Sequence, residues 1–212
     1  MKNYNLGFAV AGSIMTIVFL IIVNLITSSM YLWFFYPMFA ILFWPIGVYC
    51  ARKGRFELLS LLYSLLIIGF LVIENIVYSP EHPWSLYTIL PILWWPILMY
   101  LKEYARTLTT AIIGSISIIL YYTILNMAIS PEFPWAIFPA FAVLWWPLSL
   151  YHARKKTFVA FSVSASLFIS IFFIIVNAVT TPNDIWAVYP IFTILWWPLS
   201  MYYFVYKRKT TR

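Results

Sequence analysis

"LWWPLSLY" (Leu144–Tyr151) places two tryptophans and a proline inside an apolar run long enough to approach a membrane span. The same pattern stands at Leu93–Tyr100 (LWWPILMY), at Leu195–Tyr202 (LWWPLSMY) and, altered, at Leu42–Tyr49 (LFWPIGVY). The prolines are Pro45, Pro96, Pro147 and Pro198, each 51 residues from the next. That spacing also returns Trp44, Trp95, Trp146 and Trp197, then Tyr49, Tyr100, Tyr151 and Tyr202. Upstream it returns Trp33, Trp84, Trp135 and Trp186, then Asn24, Asn75, Asn126 and Asn177, then Ser13, Ser64, Ser115 and Ser166. Six columns thus hold through four copies without an insertion or deletion, so the chain is read as repeats before any single window is read.

Composition supplies the solvent. Of 212 residues, 64% are hydrophobic and 9% charged, against about half and a quarter in soluble domains. The mean hydropathy is +0.92. Each repeat holds two apolar stretches: Gly7–Thr27 and Met30–Cys50, Phe56–Tyr78 and Trp84–Leu101, Thr107–Ala128 and Trp135–Tyr151, Thr157–Val179 and Ile185–Val205. A membrane span needs about 20 residues. The second stretch of each repeat is somewhat short, within what local thinning accommodates. The links inside the repeats are TSSM, SPEHP, SPEFP and TPND, tight turns by composition. The expected fold is all-α: an integral membrane protein of eight transmembrane helices in four parallel two-helix repeats. These cover residues 1–54, 55–105, 106–156 and 157–212, the last with a basic tail. A pseudo-fourfold ring is the natural closed arrangement, and a row or two pairs also fit.

All thirteen Lys and Arg lie at the termini or between repeats: Lys2; Arg52, Lys53 and Arg55; Lys102 and Arg106; Arg154, Lys155 and Lys156; Lys207, Arg208, Lys209 and Arg212. The turns within repeats carry Glu81, Glu132 and Asp184 instead. The positive-inside rule puts both termini in the cytoplasm, as expected of an inner-membrane, multi-pass protein. The net charge of +7 is then a topology signal and an attraction for anionic lipid headgroups. No basic soluble segment exists to carry nucleic acid. The first apolar stretch lacks a small-residue cleavage site, so it reads as a span and not a signal peptide. The one cysteine, Cys50, permits no intrachain disulfide.

Three polar features stand out. Ser13 and Asn24 are eleven residues apart, about three helical turns or about 16 Å on one face; so are the other three pairs. An amide in hydrocarbon needs partners. The eight residues are therefore candidates either for interhelical hydrogen bonds or for a polar path along the repeat axis. Glu74 is the one charged residue clearly within a span, and its counterparts are Val23, Leu125 and Val176. Intramembrane acids are functional candidates, although Glu74 lies a turn from the helix end, within reach of headgroups. The third feature is proline. Pro45, Pro96, Pro147 and Pro198 cannot donate to the carbonyls of Ile41, Ile92, Val143 and Ile194. A kink and a free carbonyl are expected at each. Pro37, Pro139 and Pro190 fall in a first turn, where proline costs little. The eight repeated tryptophans read as two interfacial aromatic belts.

Catalytic chemistry has few candidates. His82 and His152 fall at opposite membrane faces, no metal-ligand spacing occurs, no Gly-rich phosphate loop exists, and no lysine lies in mid-span. No catalytic residue, metal or cofactor is expected. Two readings remain: a transport or channel-like protein, or the membrane subunit of one; and a membrane sensor, scaffold or partner-binding subunit with a solid core and a membrane or cytoplasmic protein partner.

The stretch Ile21–Gly54 resembles the bacterial 2TM domain family, whose hairpin carries an Asn in its first helix, a Trp-x-x-x-Pro run after a short turn and a closing Trp-Gly-x-Gly-x-x-x-His. Asn24, Trp33, Pro37 and Trp44 match, with Asn75, Trp84 and Trp95; Asn126, Trp135, Pro139 and Trp146; and Asn177, Trp186, Pro190 and Trp197. Pro follows the closing Trp where the family has Gly, and the terminal His is absent or shifted, as at His152. The resemblance implies a membrane hairpin, often joined to bacterial signalling proteins, and no catalytic residues.

Overall fold

A computed structural model describes residues 5–28 and 31–207. Ser29 and Met30 of the first link, and Lys2, Arg208, Lys209 and Arg212 of the basic set, lie outside the described residues. Eight α-helices follow in order: α1 (Leu6–Thr27), α2 (Phe35–Lys53), α3 (Phe56–Tyr78), α4 (Leu86–Leu101), α5 (Leu108–Ile129), α6 (Ile137–Lys155), α7 (Phe158–Thr180) and α8 (Val188–Met201). A 3₁₀ turn, Lys102–Arg106, follows α4, and a π-helical turn, Tyr202–Lys207, follows α8.

Among the described residues, six stretches are long and apolar enough to cross a membrane: α1, α2, α3, α5, α7 and Val188–Val205. Helices α4 and α6 fall short. Helix α4 has 16 residues, because it starts only after its turn tryptophan and ends at Lys102, whose φ is +49°. Helix α6 ends in His152, Arg154 and Lys155, which lower its hydropathy. All four even-numbered helices start later than the apolar pattern suggested, because the tryptophan belongs to the turn. The N–H groups of Trp33, Trp84, Trp135 and Trp186 donate to the carbonyls two residues back, at 3.0, 2.8, 2.8 and 3.0 Å.

The chain parts into two units between Ala105 and Arg106, at the boundary between the second and third repeats. In the first unit α1 packs on α2, α2 on α3 and α3 on α4; in the second, α5, α6, α7 and α8 succeed one another in the same way. The seam between hairpins is aromatic and recurs at twice the repeat. Phe39 of α2 stacks on Phe70 of α3 at 4.2 Å, and Phe141 of α6 stacks on Phe172 of α7 at 3.9 Å. Ring pairs at these distances add about 0.5–1.5 kcal/mol beyond the area they cover.

Burial is inverted relative to a water-soluble core. The buried residues of α1 are Ala9, Ser13 and Asn24; those of α3 are Ser60, Ser64 and Asn75. In α5 and α7 the same columns are buried, Ala111, Ser115 and Asn126, and Ser162, Ser166 and Asn177. Large side chains such as Phe8, Phe19, Ile113 and Leu167 point outward. Small residues four apart let helix backbones approach closely, the packing used where lipid removes any hydrophobic drive between helices. The arrangement is compatible with a multi-pass membrane protein. In water so much exposed apolar surface would drive association.

Helices α2 and α6 end alike. Gly54 takes φ +64° and Lys156 φ +53°. The next N–H groups, of Arg55 and Thr157, close back on the carbonyls of Cys50 and His152 at 3.0 and 3.1 Å. This is the Schellman arrangement. Gly54 adopts it without strain; Lys156 does so despite its Cβ.

Candidate functional site

Each repeated asparagine sits about one turn before the end of its helix and is almost fully buried: Asn24 0%, Asn75 4%, Asn126 5% and Asn177 7% exposed. Its amide spans the whole turn that follows. The Nδ2 group of Asn126 donates to the carbonyls of Ser130 and Phe133, at 2.6 and 2.8 Å, and its Oδ1 accepts the N–H of Ala136 at 2.9 Å. Asn75 repeats this with Ser79, His82 and Ser85, at 2.7, 2.8 and 2.8 Å. Asn177 does so with Thr181, Asp184 and Ala187, at 2.9, 2.7 and 2.9 Å. Asn24 does so with Ser28, Tyr31 and Phe34, at 2.5, 3.0 and 2.9 Å. The offsets of four, seven and ten residues are constant. Phe34, Ser85, Ala136 and Ala187 are the N-cap residues of the even helices, and none caps its helix with its own side chain. One side chain therefore ties a carbonyl-rich helix end to the donor-rich start of the next helix, where both would otherwise lack partners.

The serine column answers the proline column. Ser64 Oγ donates to the carbonyl of Ile92 at 3.2 Å, Ser115 to Val143 at 3.2 Å and Ser166 to Ile194 at 3.3 Å. These are the carbonyls that Pro96, Pro147 and Pro198 leave without an N–H four residues on. The helix runs through each proline, and the hydroxyl of the paired helix restores the missing donor. The equivalent partner for Ser13 is the carbonyl of Ile41, opposite Pro45, but Ser13 Oγ is buried without a hydrogen bond. A column missed in the sequence lies four residues before the serines: Ala9, Ser60, Ala111 and Ser162, all buried. Its two serines turn their hydroxyls onto the carbonyls of Glu57 and Val159, at 2.8 and 2.7 Å.

Five of the repeated tryptophans pack against their own hairpins. Trp44 meets Phe8 edge-on at 5.8 Å, as Trp197 meets Phe161 at 5.7 Å. Trp95 lies 6.3 Å from Tyr63; Trp146 is half-buried. In the turns, Trp135 meets Tyr122 at 5.9 Å and Trp186 meets Phe173 at 6.0 Å. Trp33 and Trp84 are half-buried there.

Glu74 is half-buried near the turn end of α3. It lies one turn along α3 from Phe70, on whose ring Tyr36 of α2 packs at 5.9 Å, and the Tyr31 hydroxyl donates to that of Tyr36 at 3.4 Å. The Tyr31 ring lies 6.4 Å from that of Tyr78. Sequence reasoning singled out Glu74 but not Tyr31 and Tyr36, which the α2–α3 seam brings from the neighbouring hairpin, nor Tyr78, one turn on along α3.

Glu81, His82, Glu132 and Asp184 lie in the turns within repeats, and further ionisable groups stand at the links between repeats. Lys102 pairs with Glu57 at 3.2 Å in an exposed contact, a kind worth little. Arg154 donates to the carbonyl of Arg106, and Lys155 stands over the Tyr151 ring at 4.4 Å. His152 is buried, its Nδ1 2.8 Å from the Thr157 hydroxyl. Among the described residues no three His, Cys, Asp or Glu side chains come together. No family model, curated protein or solved structure matches the chain.

Proposed function

We propose that the chain is an eight-span inner-membrane protein whose four hairpins share one orientation, with both termini cytoplasmic. We further propose that it works as a non-enzymatic scaffold, sensor or partner-binding subunit with a solid core. One observation carries this reading. The amides best placed to line a polar path each spend their donors and acceptor on their own turn. A water-lining amide would keep capacity free. The likeness to the 2TM hairpin favours the same reading. The pseudo-fourfold ring rests on the 51-residue repeat, and attraction for anionic headgroups rests on the basic loops.

A transport or channel-like role is favoured by Glu74 alone, since a carboxylate among helices costs free energy that function commonly explains. Flux separates the two. In proteoliposomes, stopped-flow swelling in small polyols and potential-driven Na⁺, K⁺ and H⁺ flux should equal those of empty vesicles. Flux above that background, abolished by Glu74→Gln, would favour transport over the scaffold.

A further inference from the structure

The two α-helical units carry the same interhairpin seam, and they differ at its turn end. In the second unit that end is apolar. Phe133 lies 6.3 Å from Phe138, Phe138 meets Phe172 edge-on at 5.9 Å, and Val176 is buried beside Asn177. In the first unit the ring geometry is kept, with Tyr36 meeting Phe70 edge-on at 5.9 Å. At the equivalent positions, 102 residues earlier, Phe133 becomes Tyr31, Phe138 becomes Tyr36 and Val176 becomes Glu74. Tyr78 stands where the second unit has Thr180. A set with neither a carboxylate nor a tyrosine therefore suffices to close such a seam. The hydroxyls and the carboxylate of the first unit are additions that packing does not require.

The additions share one chemistry. The one ion pair formed among the described residues is Lys102–Glu57, at the far end of α3, so Glu74 has no cationic partner among them. In sequence every Lys and Arg falls at a terminus or between repeats, and His82, in the turn after α3, packs on Tyr87 at 5.7 Å and forms no ion pair with Glu74. The described residues thus leave the counter-charge to come from elsewhere. The three rings beside Glu74 are open to it, with Tyr31 47%, Tyr36 38% and Tyr78 50% exposed. One carboxylate is too few oxygens for a calcium-type site, which takes 6–8 ligands. One carboxylate with several tyrosine faces suits an ammonium group, attracted to the anion and to the rings' electron-rich faces. We propose that Glu74, Tyr31, Tyr36 and Tyr78 form a binding site for an ammonium group, at the membrane face away from the basic loops. The ammonium belongs either to a soluble amine or to a phosphatidylethanolamine headgroup. The inference stands whether the chain scaffolds or conducts.

The test uses the full-length protein in nanodiscs of phosphatidylglycerol, with tetramethylammonium as probe and saturation-transfer NMR as readout. The wild type should saturate the probe's methyl protons. Glu74→Val, the residue the second unit carries, should weaken binding about tenfold or more, with an unchanged melting temperature. Tyr31→Phe/Tyr36→Phe, which keeps the rings and removes the hydroxyls, should bind between the two. Repeating the titration in nanodiscs containing phosphatidylethanolamine distinguishes the sources. Competition by that lipid, lost in Glu74→Val, assigns the headgroup; binding unchanged by the lipid assigns a soluble amine. Equal binding by wild type and Glu74→Val, or no binding by either, overturns the proposal.

Discussion

Asn126→Asp will destabilise the third hairpin at least as much as Asn126→Ala, although Asp is the closer mimic of Asn in shape. The reason is the direction of the bonds. The Asn126 amide offers two donors to the carbonyls of Ser130 and Phe133 and one acceptor to the N–H of Ala136. Alanine loses all three, at about 0.5–1.5 kcal/mol each, or roughly 2–4 kcal/mol in total. Aspartate keeps the acceptor but turns a carboxylate oxygen toward two carbonyl oxygens in a site 5% exposed, where an unpaired charge is strongly disfavoured. Unfolding by sodium dodecyl sulfate in mixed micelles, followed by tryptophan fluorescence, measures the difference. An amide facing an aqueous path would behave in the opposite way, tolerating Asp better than Ala. Stability of Asn126→Asp within about 0.5 kcal/mol of wild type, below the range given for a single hydrogen bond, would rule out the turn-tying role.

The second large effect is steric. Ala111→Leu should cost about 3 kcal/mol or more, at the upper end of overpacking, because Ala111 is fully buried where α5 packs on α6. Ala111→Ser should cost under about 1 kcal/mol, less than one net hydrogen bond. Ser60 and Ser162 already occupy that column and satisfy their hydroxyls on the carbonyl three residues back. The same unfolding titration reads both variants. A leucine tolerated as well as serine would mean that this face of α5 is turned to lipid.

The repeat was legible because identity at 51 residues needs no structure to be seen, and hairpins follow from turns of four or five residues. The partners were not legible. The pattern marked Asn24, Asn75, Asn126 and Asn177 as polar groups needing bonds and left open whether neighbouring helices or a path supplied them. The answer lies in the backbone of a turn whose path depends on where the even helix starts, and that start was misplaced by the turn tryptophans. Likewise the serines and the proline-freed carbonyls were both visible, and only the packing of the hairpin joins Ser166 to Ile194. The Ala9, Ser60, Ala111 and Ser162 column escaped notice because it mixes two residue types; its signal is small size, not identity. Glu74 stood out as a break in the repeat. Its tyrosine neighbours could have been found by comparing the chain with itself at 102 residues, where four substitutions occur together.

The scaffold reading stands on the repeated polar columns being sealed within hairpins. Cysteine at Ser64, Ser115 or Ser166, one at a time with Cys50→Ala, changes a single atom at sites 0%, 1% and 3% exposed. A membrane-impermeant maleimide, applied to open membrane fragments so that both faces are reached, should leave all three thiols unmodified until the protein is denatured. Rapid labelling of any of them in the folded protein would contradict the claim and put water on the repeat's polar face.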